Sequence, residues 1–306
     1  MSDPFDDACE VPVAGGTLMV ARAGRPVEEA DGVVLAVHGI SASHRAWASV
    51  ARELAATTTA CLLVPDLRGR GGSAGLPQPY GIAAHVADLL AVLDFFGVDS
   101  AVLAGHSMGA YVAARLAAEH PERVSSLVLV DGGLPIALPP NEDPEELLGA
   151  ILGSSLARLG VTFAKQDDYL MMWRLHPAFA GPWDDDIEAY LTYDLVGAGD
   201  AKRPDAVRSI TSGTAVRTDG REMLLDDATR TALMDVQAPV RLLLAPRGLL
   251  DGDPLLPRDV VDEFVADHPQ TRVEEVDDTN HYSVLLGPGR GAGRVTSAIA
   301  AALAEA

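Results

Sequence analysis

The chain reads as an α/β fold: a mainly parallel sheet covered by helices on both faces, interrupted by one helical insert. Three observations predict this. Short apolar runs without period-two alternation take turns with helical repeats over roughly the first 130 residues, as strands buried on both faces require. The strand signal then vanishes near Leu134 and returns only at Val240. The 306 residues also exceed what one ordinary core needs, so a main domain plus an insertion is the natural division, with 1–134 and 237–306 as core and 135–236 as a helical cap.

The elements follow in order. Val11–Val13 and Thr17–Ala21 flank Gly15-Gly16 and form an opening hairpin. Gly32–Gly39 is a buried strand ending in glycine; Ser43 is placed to cap a helix whose apolar stripe is Trp47, Val50 and Leu54. Thr59–Pro65 is strand-like, and the glycines at 69, 71, 72 and 75 make the next stretch a loop. Ile82, Val86, Leu89, Leu90, Leu93 and Phe96 repeat at helical spacing. Ala101–Ala104 is a strand, Met108–His120 a helix of small residues, and Val124–Val130 another strand.

In the insert, a helix opens at Asp143-Pro144, and further helices are expected at Asp167–Leu175, Asp184–Val196, Asp205–Ser212 and Glu222–Met234, separated by Pro and Gly. Beyond it come a strand at Val240–Ala245, a helix near Asp259–Ala266, a strand at Arg272–Val276 and a last helix from about Gly293 to Leu303.

Charge narrows the function. With 23 basic and 44 acidic residues the formal net charge is −21, which opposes binding to nucleic acid or to anionic membranes. No run approaches the roughly 18 apolar residues of a membrane span. The acidic opening, Met1 to Asp7, has no apolar stretch behind it and argues against a signal peptide, so a cytoplasmic protein acting on a small molecule is the expectation. Cys9 and Cys61 have neither metal nor redox spacing. Gly69-Arg70-Gly71-Gly72 lacks the spacing and the lysine of a phosphate loop, and no His, Cys and carboxylate cluster suggests a metal. No cofactor is implied.

Gly105-His106-Ser107-Met108-Gly109 lies between an apolar strand and a helix of small residues. This is the strand–turn–helix setting in which Gly-x-Ser-x-Gly exposes a nucleophilic serine on a strained turn, and in which a Cβ at either glycine would crowd the turn. The helix N-terminus then offers the Met108 N–H to a developing oxyanion. The backbone N–H of Ile40, in His38-Gly39-Ile40, is the second candidate donor. A serine needs a base. His281 follows the last expected strand and can reach the sheet edge where Ser107 sits; His85, His120 and His268 lie on or beside helices and His176 in the insert. His38 reads as a structural histidine, His44 as a helix-start or pocket residue, and His106 as a packing residue beside the elbow. Asp251 and Asp253 follow one strand and Asp131 another; each is placed to orient His281.

Taken together, His38-Gly39, Asp66-Leu67-Arg68-Gly69-Arg70-Gly71-Gly72-Ser73, the elbow at Ser107, Val128-Leu129-Val130-Asp131, Asp253-Pro254-Leu255-Leu256-Pro257 and Asn280-His281 resemble, in content and order, a capped α/β-hydrolase of the esterase, proline-iminopeptidase and meta-cleavage-product hydrolase branches. The resemblance implies a sheet of about eight strands and a Ser–His–acid triad. It favours Asp253 as the acid, because Pro254 follows it and His281 comes 28 residues later; Asp251 fits a shorter loop pattern, and Asp131 the position used by some relatives. It gives Asp66 and Arg68 a structural role under the site, as an ion pair among tight glycine turns. The serine argues against the dehalogenase and epoxide-hydrolase branches, and Ile40 against the cofactor-free haloperoxidases. Bulky insert residues, among them Tyr169, Trp173 and His176, are the expected substrate-pocket lining. The implied reaction is hydrolysis of a carboxylic ester or lactone. The alternatives are C–C bond, thioester or lyase chemistry on the same residues, or a small-molecule receptor with a silent site.

Overall fold

A computed structural model describes residues 2–136, 143–287 and 289–306. The chain opens with β1 (Asp7–Val13) and β2 (Gly16–Gly24), an antiparallel hairpin. Then β3 (Val33–Val37), α1 (Ala48–Thr57), β4 (Cys61–Pro65), α2 (Ile82–Phe95), β5 (Ala101–His106), α3 (Met108–Glu119) and β6 (Val124–Val130) alternate strand with helix. The insert supplies α4 (Pro144–Leu159), β7 (Thr162–Phe163), α5 (Gln166–Arg174), α6 (Asp185–Tyr193), β8 (Leu195–Gly197), β9 (Val207–Ser209), α7 (Gly213–Leu225) and α8 (Asp227–Arg230). The core resumes with β10 (Val240–Leu244), α9 (Arg258–Asp267), β11 (Arg272–Glu275) and α10 (Arg290–Glu305).

The main sheet has eight strands in the order β1-β2-β4-β3-β5-β6-β10-β11, parallel from β4 onward. Its central strands are mostly apolar because both faces are covered. Leu35 and Val37 pack with α2 and α3, through Leu89, Leu93 and Val112; Val34 and Ala36 pack with α1 and α10, through Val50, Leu54, Val295 and Ile299. Alternate side chains thus enter opposite cores, which is why no period-two pattern marks these strands. Cys61 is buried in β4 and, like Cys9, is a free thiol.

The order of the sheet decides where chemistry can assemble. β3, β5, β6 and β10 are neighbours, so the loops at their carboxyl ends meet above one edge. Among the described residues, no helix is long and apolar enough to cross a membrane.

The differences from the expected elements have local causes. Ser43 makes no capping bond; the N–H of His44 goes instead to Asp66 Oδ1 at 2.7 Å, and a 3-10 turn, His44–Trp47, precedes α1. The insert is not wholly helical. Leu195–Gly197 leaves α6 to pair with Val207–Ser209, which pairs in turn with Thr162–Phe163 in a three-stranded antiparallel sheet. Strands of two or three residues are too short to imprint a period, so the segment at Asp205–Ser212 reads as helical. Gly213 opens α7 rather than breaking a helix: Ser212 Oγ accepts from the Ala215 N–H at 3.3 Å.

Candidate active site

Ser107 sits where β5 turns into α3, with φ 56° and ψ −123°. That backbone region is costly for a residue with a Cβ and persists only where the surroundings enforce it. Here they do. The Ser107 N–H is held by Val130 O at 2.9 Å and its carbonyl by the Ala110 N–H at 3.0 Å. A Cβ on Gly105 would lie 2.4 Å from Gly109 O, and one on Gly109 would lie 2.1 Å from Val37 O. Gly132, just beyond β6, backs the turn so closely that a Cβ there would meet Ser107 O at 2.3 Å.

His281 follows β11, in a loop built around Asn280. The Asn280 Oδ1 accepts from the N–H groups of Tyr282 and Ser283, and its Nδ2 donates to Ala178 O and Asp251 Oδ1. The carboxylate beside His281 is that of Asp131: Oδ2 accepts from His281 Nδ1 at 2.6 Å, and Oδ1 accepts from the Ala245 N–H at 3.2 Å. Asp131 is itself a left-handed residue, with φ 47°, a region that Asp and Asn enter more readily than most.

The preference for Asp253 is therefore corrected. Asp253 is exposed on the loop after β10, whereas Asp131 directly follows β6, the strand next to that of Ser107. Asp251 lies one residue removed from the imidazole, bracing Asn280 and paired with Arg247. With Nδ1–H given to Asp131, His281 presents Nε2, which has no hydrogen bond among the described residues, to the cavity it shares with Ser107. No hydrogen bond joins that nitrogen to the Ser107 hydroxyl.

His106, the second letter of the elbow, ties the two loops together. Its Nε2–H donates to the His281 carbonyl at 2.8 Å, and the rings lie 4.8 Å apart. Burial, followed by the neighbouring His281, pushes its pKa down to about 3 and keeps it neutral. His38 is structural as expected: it donates through Nδ1 to Gly39 O and accepts the Leu67 N–H at Nε2, and burial lowers its pKa to about 4.

Met108 is the first residue of α3, so its N–H has no partner within the helix. Gly39 passes so close to Ser107 that a Cβ would lie 3.3 Å from the serine Cβ, which places the Ile40 peptide beside the elbow. Sequence reasoning missed what fixes that peptide. The buried Arg70 donates Nε and Nη2 to Ile40 O, at 2.9 and 2.7 Å, and pairs at 2.5 Å with Asp219 of α7. Asp219 also accepts from the Gly81 N–H and from His85 Nε2, while Glu222 takes the Ile82 N–H, so two carboxylates of the insert cap the start of α2. Burial would raise the Asp219 carboxyl, but Arg70 and His85 hold it down at about 2.

Asp66 and Arg68 are structural and take separate partners. Arg68 pairs in bidentate fashion with Asp88 at 2.6 Å, and Asp66 holds His44, the Gly72 N–H and Tyr193 OH. Burial alone would raise the Asp66 carboxyl; His44 outweighs it and keeps the group below the ordinary range.

The Ser107 cavity encloses about 70 Å³. Its walls are mostly apolar, with Ile40, Ile151, Leu152, Met223, Leu255 and Leu285 among them. Tyr190 is the insert aromatic in this wall, and Tyr282 joins it from the His281 loop. The expected lining residues are placed differently. Tyr169 and Trp173 border a smaller neighbouring cavity, and His176 borders neither, because it packs against Trp173, Phe179 and Tyr282. A helix has one inner face, and α5 turns its own onto that aromatic cluster.

Comparison with known proteins agrees with this architecture. The sequence profile described as alpha/beta hydrolase fold matches residues 32–168. Lipase LipV of Mycobacterium tuberculosis is 41% identical over 98 residues, which is 32% of this chain and 36% of that protein; the match thus spans about a third of that relative's length. Among solved structures, the thioesterase domain from the curacin biosynthetic pathway superposes with TM-score 0.72 at 22% identity, over 96% of this chain and 98% of that one. E-2-(acetamidomethylene)succinate hydrolase superposes with TM-score 0.74 at 20% identity, over 95% and 98%. At such identity these two speak for the fold alone. With its eight-stranded sheet, its serine elbow and these matches, the chain has the α/β-hydrolase fold.

Proposed function

We propose that the protein is a serine hydrolase that cleaves a carboxylic ester or lactone of a small, largely apolar molecule through an acyl-enzyme on Ser107. The observation that carries this reading is the convergence of Ser107, on its strained turn, and His281, held at 2.6 Å by Asp131, on one apolar cavity.

Ser107 Oγ attacks the carbonyl carbon while His281 Nε2 takes its proton. The resulting imidazolium is stabilised by the Asp131 carboxylate through Nδ1–H. The negative charge that forms on the carbonyl oxygen is met by the N–H groups of Ile40 and Met108. As the tetrahedral adduct collapses, His281 returns the proton to the leaving alkoxide. A water molecule, deprotonated by the same Nε2, then attacks the acyl carbon and releases the acid and free Ser107. No cofactor enters any step. In this reading the helical insert is a cap: it walls the cavity through Tyr190 and Met223 and is tied to the Ile40 loop through Asp219 and Arg70.

The test is turnover of 4-nitrophenyl butyrate by the wild type and by Ser107→Ala. The variant should fold as the wild type does and lose at least about 10⁴ of kcat, since serine removal disables nucleophile and base together. Retained turnover in the purified variant would sink the assignment.

A further inference from the structure

Three buried polar atoms with no hydrogen-bond partner among the described residues belong to residues around one cavity: Ser43 Oγ, Arg158 Nε and Trp173 Nε1. The cavity is small, about 10 Å³, space for a single oxygen atom or water. Ser41, Ala42 and Tyr190 border both this cavity and the one that holds Ser107, so the two adjoin.

Such orphans are rare in folded proteins, and three around one hole call for an acceptor. Arg158 is 5% exposed and projects from α4 into the core of the insert. Its Nη1 bonds Asp194 and Tyr169 OH, and its guanidinium carbon lies 5.4 Å from the centre of the Trp173 ring. Asp194 is saturated: Oδ1 accepts from Ser209 and Thr211, and Oδ2 accepts from Tyr169 as well as Arg158. It has no lone pair left for the remaining edge of the guanidinium. Tyr169 OH, whose ring lies 6.4 Å from that of Trp173, already accepts from Arg158 and donates to Asp194. Arg158 Nε and Trp173 Nε1 can only donate, and Ser43 can donate as well. The missing group is thus an acceptor, and beside a guanidinium the best acceptor is a carboxylate oxygen.

We propose that this side cavity receives a carboxylate oxygen of the substrate, so that the ester or lactone cleaved at Ser107 bears a carboxylate a few atoms from its scissile carbonyl. The proposal rests on the hydrolase reading above and narrows its substrate class to esters of short dicarboxylic or hydroxycarboxylic acids.

Two matched pairs of esters test it: 4-nitrophenyl hydrogen glutarate against 4-nitrophenyl pentanoate, and 4-acetoxybutanoate against butyl acetate. In the wild type at least one carboxylate ester should have a KM about tenfold below that of its neutral partner, as a charge-assisted hydrogen bond in a desolvated site provides. That ratio should fall towards one in Arg158→Met and in Ser43→Ala. Ser43→Ala breaks no existing hydrogen bond and carries the test if Arg158→Met fails to fold. A second readout needs no turnover: glutarate should quench the tryptophan fluorescence of Ser107→Ala, with a Kd raised about fivefold or more when Ser43→Ala is added. Glutarate binding without ester turnover would remove the hydrolase reading and keep the subsite. Equal KM values in both ester pairs, ratios unmoved by both substitutions, or the absence of glutarate binding would each overturn the subsite and leave a cavity that holds water only.

Discussion

Asp131 Oδ2 lies 2.6 Å from His281 Nδ1 across 150 residues of sequence, and the same carboxylate accepts the Ala245 N–H through its other oxygen. Two bonds to one carboxylate fix the ring's tautomer and aim Nε2 into the Ser107 cavity. The carboxylate that holds His281 thus directly follows β6 rather than standing in the loop after β10. Asp131→Asn keeps the shape but holds the wrong tautomer, and kcat should fall by about 10³ to 10⁴. Asp253→Ala should stay within about threefold of the wild type, as a change on an exposed loop does. Steady-state kinetics on 4-nitrophenyl butyrate decide; the reverse ranking would return the role to Asp253.

Arg70 and Asp219 form a second long-range relationship, between the loop under the site and the insert. The pair is fully buried, so removing one partner strands the other's charge at a cost of about 3–5 kcal/mol. Asp219→Asn should lower the urea midpoint accordingly. It should also reduce kcat/KM, because Arg70 is what holds the Ile40 carbonyl. A variant with unchanged midpoint and unchanged kcat/KM would show that the clamp matters to neither.

The elbow glycines set a steric limit. A Cβ at Gly109 would come 2.1 Å from Val37 O, and rigid backbone cannot yield by that much. Gly109→Ala should therefore displace the turn and lower kcat by at least about 100-fold, since a misplacement of around 1 Å costs that much. Wild-type turnover in soluble Gly109→Ala would mean that the turn is looser than the contacts imply.

Acid stability follows from two buried imidazoles. Burial is the main cause that holds His38 at about 4 and His106 at about 3. The unfolded chain takes up these protons near pH 6.5. Between there and the folded values the unfolded state binds more protons, so stability is full above about pH 6.5 and declines as pH falls. Asp219, held at about 2, keeps its pair until far lower pH. Carboxylate protonation, which relieves the net charge of −21, sets in mainly below about pH 5. The urea midpoint should thus drop from pH 6.5 to 5; a flat or rising midpoint there would contradict the neutral, buried state of the two histidines.

The strands and core helices were legible in the sequence because their signals are local. A continuous apolar run such as Ala101–Ala104 marks a strand covered on both faces, and Gly-x-Ser-x-Gly at its end marks the turn. Asp131 and Asp253 could not be separated by such signals, since their difference lies in sheet order: β6 adjoins β5, which no local pattern records. A clue was nonetheless present, as Asp131 is followed by Gly132-Gly133, and Gly132 is where the chain backs onto Ser107. The roles of Arg70, Asp219 and Arg158 leave no mark in the sequence because each comes from partners far away along the chain. The bulk of Tyr169 and Trp173 suggests a place in the Ser107 cavity, but bulk in an insert does not reveal which way a helix faces.

A hydrolase of this kind requires Ser107 to be a nucleophile in a working site. Intact-protein and peptide mass spectrometry after treatment with a fluorophosphonate tests this directly. One phosphonyl group should be added, on the peptide that contains Ser107, with none on Ser107→Ala and slow addition on Asp131→Asn. An unmodified wild type, or a label on another residue that persists in Ser107→Ala, would contradict it.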